Sequence, residues 1–131
     1  MSIAAFHTAF QAMLTPASDF KAAIGGRFGY SGTIPAGSLL PYASWFNVYA
    51  DPRDEFDADL NERMIQVDVY AKDMSEAVIT GDKALGLFDG AVIAAPGIRP
   101  CRLQKGAVHG PMPDEADWRV TFELIVLVED V

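Results

Sequence analysis

Two hydrophobic periods meet between residues 63 and 90, where the chain reads RMIQVDVYAKDMSEAVITGDKALGLFDG. Ile65, Val67 and Val69 alternate with Gln66, Asp68 and Tyr70, which is the period of a strand with one buried face. From Met74 the period lengthens to that of a helix, with Met74, Ala77, Val78, Gly81, Ala84, Leu85 and Phe88 on one apolar stripe. Asp73 or Ser75 caps its start, Asp73 standing in capping-box spacing from Glu76, and Asp89-Gly90 ends it. Gly81 costs about 1 kcal/mol relative to alanine inside a helix. Lying in the stripe, it lets the helix sit close to a sheet; the bland alternative is a glycine merely tolerated there.

Elsewhere the same reading gives a first helix from Ile3, Phe6, His7, Phe10, Met13 and Leu14, stopped at Thr15-Pro16. A short helical turn over 19–24 ends at Gly25-Gly26, and residues 27–38, rich in Gly, Ser and Pro, read as an irregular loop. Residues 41–49, PYASWFNVY, form an aromatic and β-branched strand, joined to the next by a long acidic hairpin loop. Segments 91–95 and 99–105 are weaker strands separated by Pro96-Gly97, and 106–117 reads as a polar loop. The last strand, 118–128, carries Trp118, Val120, Phe122, Leu124 and Val126 on one face and Arg119, Thr121 and Glu123 on the other. Ile125 and Leu127 then make the second face apolar too. Such a strand needs cover on both sides, and the helices suffice for one, so another subunit is the expected cover of the second. The expectation is a single α+β domain over residues 1–131: a mixed, mainly antiparallel sheet, with the N-terminal helix and one longer helix packed on one face.

Composition narrows the function more than the fold. Half of the 131 residues are apolar, enough for a core without disulfide or metal staples, and a lone Cys101 fits a reducing compartment. No basic residue precedes Lys21, and His7 and Gln11 interrupt the N-terminal apolar run, so neither a signal peptide nor a membrane span is expected. A net charge of −8 opposes any surface that grips nucleic acid, which needs clustered Lys and Arg to displace counterions. Asp51, Asp54, Glu55, Asp57, Asp59 and Glu62 crowd one segment, and Asp114, Glu115 and Asp117 form a second acidic group. Arg99, Arg102 and Lys105 are a small basic counterpart. These groups are either solvated loops or opposite patches that meet between neighbouring copies.

Catalytic chemistry has little to stand on. A nucleophile needs a neighbouring base, yet the histidines are His7, at the edge of a packed helix face, and His109, in a Gly/Pro segment. Cys101 follows Pro100 in a strand and reads as a small buried side chain. Asp57-Ala58-Asp59-Leu60-Asn61 copies the opening of a calcium loop, but Glu62 stands where the turn demands Gly, and Asp68 stands where a bidentate Glu is needed. Gly25-Gly26-Arg27-Phe28-Gly29 lacks the Lys-Ser/Thr ending of a phosphate loop. No catalytic, cofactor or metal residue is assigned.

In order and spacing, these landmarks resemble the tail-completion, or tail terminator, family of tailed bacteriophages, also found in prophages and gene transfer agents. The matching features are the short N-terminal helix, then residues 19–24 with Gly25-Gly26-Arg27, and Pro41-Tyr42 opening a strand. Gln66-Val67-Asp68-Val69-Tyr70-Ala71 leading into the 75–90 helix follows, and Trp118-Arg119-Val120-Thr121-Phe122 completes the set. The resemblance implies a non-enzymatic virion protein of the tail and neck, assembled in the bacterial host cytoplasm without a cofactor. It also implies a homo-oligomeric ring, a hexamer, that caps the tail-tube protein, ends tail polymerisation and offers the head-neck connector protein a joining surface. Genome DNA would pass through without sequence-specific binding, and no membrane is involved. A ring interface is head-to-tail, so two different patches must match. The candidates for channel or subunit interface are Asp54, Glu55, Asp57 and Asp59, the basic Arg99, Arg102 and Lys105, and the apolar Ile125 and Leu127. Other readings are a head-completion or connector protein of the same neck, and a small acidic metal- or ligand-binding module.

Overall fold

The computed structural model describes residues 3–35, 37–50 and 63–128. Helix α1 (Ile3–Gln11) runs into a 3-10 turn (Ala12–Leu14), and α2 (Asp19–Ile24) follows. Ser18 caps α2 by accepting the Lys21 N–H at 3.1 Å, and Gly25 ends it with a left-handed φ of 60°. Strands β1 (Phe28–Tyr30), β2 (Tyr42–Ala50) and β3 (Arg63–Ala71) precede α3 (Met74–Phe88). Asp73 caps α3, its carboxylate accepting the Glu76 N–H at 2.8 Å, while the Glu76 carboxylate takes the Lys72 N–H at 3.2 Å. This is a capping box shifted outward by one residue on its return arm. After α3 come β4 (Val92–Ile93), β5 (Cys101–Asp114) and β6 (Asp117–Val128).

The strands form one six-stranded sheet in the order β1-β2-β3-β6-β5-β4. Among the described residues only β1 and β2 pair in parallel, so the sheet is mixed and mainly antiparallel, with the helices on one face, as the sequence led us to expect. The inner face presents Ala43, Trp45, Ile65, Val67, Val69, Phe122, Leu124 and Val126, all buried. Phe88, at the last turn of α3, lies at the centre of the packing. Its ring centroid is 5.2 Å from Phe10, 5.8 Å from Phe20, 5.8 Å from Phe28 and 6.5 Å from Phe122. Gln11 ties α1 to two strands, donating to the Phe28 carbonyl at 2.8 Å and accepting the Trp45 indole N–H at 2.9 Å. The His7 ring packs between Trp45 and Tyr30, with centroids 4.8 and 5.1 Å away.

Four local expectations change. Met74 and Val78 are 52% and 38% exposed, so they flank the buried stripe instead of belonging to it; the surface pressed on the sheet is Ala77, Thr80, Gly81, Ala84 and Phe88. A Cβ on Gly81 would stand 3.0 Å from Val120 Cγ1, so the close approach is real and the absent side chain permits it. Segment 27–38 is not wholly irregular, because Phe28–Tyr30 pairs with β2, and Arg27 secures the following loop through the carbonyls of Leu39 at 2.9 Å and Pro41 at 3.0 Å. The weak strand at 91–95 shrinks to Val92–Ile93. Segment 106–117 is largely strand: β5 continues to Asp114, absorbing Gly106, Gly110 and Pro111 in register shifts at Lys105/Val108 and His109/Met112, while Pro113 pairs in register with Trp118. Gly110 has a φ of 100°, and a Cβ there would lie 2.6 Å from the Arg119 carbonyl oxygen, which only glycine avoids.

Because Phe88 is fully buried among four other aromatic rings, Phe88→Ala should lower unfolding stability by about 3–5 kcal/mol in urea titration. A loss below about 1 kcal/mol would contradict the central role given to this ring.

Candidate assembly surface

Strand alternation sends the side chains between the core positions to the other face of the sheet. There β2 presents Tyr42, Ser44 and Phe46, β3 presents Met64, Gln66, Asp68 and Tyr70, and β6 presents Arg119, Thr121, Glu123, Ile125 and Leu127. Among the described residues no helix packs against this face, since the buried helical positions all join the opposite side.

The middle of the face is polar yet ordered. Ser44, Asp68 and Thr121 stand in register across β2, β3 and β6, at 6%, 5% and 7% exposure. Thr121 donates its hydroxyl to Asp68 Oδ1 at 2.6 Å, and Gln66 Nε2 donates to the same oxygen at 3.0 Å. Hydrogen bonding of this kind is what makes a buried carboxylate tolerable. His109, expected in a loop, lies on β5 directly across from Thr121 and is exposed.

One end of the face is aromatic. Tyr42 and Tyr70 are cross-strand partners whose rings stack at 4.9 Å. Arg119 Nη2 contacts Met112 Sδ at 3.4 Å, while its buried Nε has no hydrogen-bond partner among the described residues. Both phenols are held above the usual tyrosine range. For Tyr70 the chief cause is burial, then the Asp68 charge, partly offset by Arg119; for Tyr42 it is burial, then the Asp117 and Asp114 charges.

The other end is apolar. Ile125 lies across from Met64 on one side and Gln104 on the other, and Leu127, 41% exposed, lies across from Arg102. Arg102 is therefore beside the apolar end, with Nη1 donating to the Gly90 carbonyl at 3.2 Å. Lys105, three residues further along β5, is on the helix side of the sheet, where its backbone N–H meets Asp89 Oδ1 at 2.9 Å. Arg99 precedes the strand, and its carbonyl accepts the buried Cys101 thiol at 3.1 Å. The three bases thus do not make one patch; the fold joins Arg102 with Ile125 and Leu127 and sends Lys105 elsewhere. Asp54, Glu55, Asp57 and Asp59, and with them the calcium-like run 57–61, lie outside the described residues. The Asp68–Thr121–Gln66 network escapes sequence reasoning, because it exists only once β3 and β6 are paired in this register. Among the described residues no group of three or more His, Cys, Asp or Glu side chains could hold a metal ion, and no helix is long and apolar enough to cross a membrane.

No protein family and no curated protein matches the sequence. The fold is similar to that of a chain from the virion of a native gene transfer agent particle, with a TM-score of 0.72 and 16% identity, over 98% of this chain and 100% of that one. At this identity the likeness is one of fold.

The buried Thr121 hydroxyl donates to an acidic side chain at short range, so Thr121→Val should cost about 1.5–3 kcal/mol in urea titration; an unchanged midpoint would mean the bond contributes nothing. The raised phenols make an alkaline prediction. The folded state holds the two tyrosine protons more firmly than the unfolded chain does. Their contribution is therefore complete below the ordinary value of about 10 and is lost as pH rises through the folded values. Tm should fall over that window less steeply in the Tyr42→Phe/Tyr70→Phe double variant than in the native chain, and the late-appearing tyrosinate absorbance of the native chain should be diminished in the variant.

Proposed function

We propose that this chain is a structural virion protein that caps a tail tube, ends its polymerisation and provides the head-neck joining surface as a homo-oligomeric ring, a hexamer. The observation that carries the reading is the whole-length fold likeness to a gene transfer agent virion chain. The sequence landmarks, read independently of that likeness, resemble the tail-completion family. In this reading residues 1–131 are one domain whose work is to hold a shape, with no reaction to perform.

The physics of the open face supports assembly. A sheet covered on one side, carrying Ile125 and Leu127 beside Arg102, leaves apolar area in water that a neighbouring subunit would remove. Its polar centre is already hydrogen-bonded within the subunit, so burying it leaves Asp68 satisfied. A net charge of −8 suits a ring through which DNA slides without being gripped. Asp54, Glu55, Asp57 and Asp59 would line that opening, while the tail-tube protein and the connector would bind its two rims. The protein would act in the virion neck after assembly in the host cytoplasm.

Negative-stain images test the reading, first of purified protein and then of protein mixed with tail tubes. Rings in solution, or caps at tube ends that stop further growth, are expected. Small scattered particles in both preparations, with tubes still elongating, would refute it; rings that bind a head connector and ignore tubes would reassign the protein to the head side of the neck.

A further inference from the structure

Helix α3 offers a counterpart to the open sheet face. This inference rests on the ring reading and deepens it by naming both halves of the subunit contact. α3 presses Ala77, Thr80, Gly81, Ala84 and Phe88 on the sheet, so a different flank carries Met74, Val78 and Asp82. These three follow one another at four-residue spacing, a continuous row along one side of a helix. Met74 and Val78 are 52% and 38% exposed, large fractions for such side chains, and Asp82 is exposed as well. Asp73, also exposed, adds a second acid at the start of the helix.

The two surfaces are opposite in charge and alike in layout. On the sheet, Leu127 and Arg102 are direct cross-strand partners, with Cβ atoms about 5 Å apart. On the helix, Val78 and Asp82 are one turn apart, with Cβ atoms about 6 Å apart. An apolar group beside a base therefore matches an apolar group beside an acid. Pairing either patch with its own copy about a twofold axis through it would bring Arg102 towards Arg102, or Asp82 towards Asp82. Pairing the two different patches brings opposite signs together, and because they lie on opposite layers of one subunit, each copy can receive one neighbour and offer itself to the next.

We infer that a second copy of this chain covers the open face, laying the Met74–Val78–Asp82 row of its α3 across Ile125, Leu127 and Arg102. The contact is heterologous, as ring closure requires. Its polar element sets register, and its apolar element supplies the area.

Cysteines at the two exposed apolar positions test the placement. The Leu127→Cys/Val78→Cys double variant, oxidised after assembly, should run as a ladder of covalent multimers on a non-reducing gel. Each single variant should give dimers at most, and the buried Cys101 stays in place throughout. Charge reversal is the second arm: Arg102→Glu or Asp82→Arg alone should raise the concentration for half-assembly about tenfold, and the two together should restore it. Native protein that forms rings while the double variant gives no ladder, or while the reversals act additively, overturns this interface and leaves the ring reading standing. Native protein that never assembles, alone or with tubes, overturns both.

Discussion

How closely α3 can approach the sheet governs the rest of the molecule. Ala77, Gly81 and Ala84 give the helix an inner surface with almost no side-chain depth, and Gly81 meets Val120 where even one more carbon would crowd it. That short separation lets a single aromatic at the end of α3, Phe88, reach Phe122 on the sheet and the rings of Phe10, Phe20 and Phe28 together. A bulkier helix surface would lift Phe88 away from the sheet and leave the two short helices without a floor to pack on. The core of this domain is thus set by the absence of atoms at three positions as much as by the aromatic mass at one.

The opposite face shows how a sheet stays defined without a second layer. Its central strands carry polar side chains bonded to one another, Thr121 to Asp68 across strands and Gln66 to Asp68 along one. Polar pairs fix register more strictly than apolar ones, because a slip strands a charge without its hydrogen bonds in addition to uncovering apolar area. The apolar end, by contrast, is Ile125 and Leu127 with Arg102 beside them, its guanidinium tied to the Gly90 carbonyl. The face is thus ordered from within at its middle and exposes apolar area at one end.

Much of this is legible along the chain, and the failures have physical causes. β3, α3 and β6 announce themselves because each keeps one period over many residues, and Asp73 and Gly25 mark helix ends by their own chemistry. β1 is hidden because Phe28–Tyr30 is too short to show a period and has Gly29 at its middle. The distal half of β5 is hidden because Gly106, Gly110, Pro111 and Pro113 carry the signs of a loop, while its pairing is to β6 and adjusts through two irregularities. The buried stripe of α3 is narrower than its apolar residues suggest, since at four-residue spacing Met74 and Val78 drift off the axis that the small residues define. For the assembly surface, Ile125 and Leu127 are readable from failed alternation, and the separation of Arg102 from Lys105 follows from their odd spacing in a strand. The Asp68 network is not readable, since it depends on which residues of two distant strands face each other.

The position of β6 has a mechanical meaning. This strand is laddered to β3 along one edge and to β5 along the other, and its first residue follows directly from the tight turn of the β5–β6 hairpin. A pull along its axis loads both ladders in shear. Load entering through the β5–β6 hairpin passes first into the β5–β6 ladder and then through β6 into its ladder with β3. With β3 it forms the central pair of the sheet, and the two strands are in this sense its tension members.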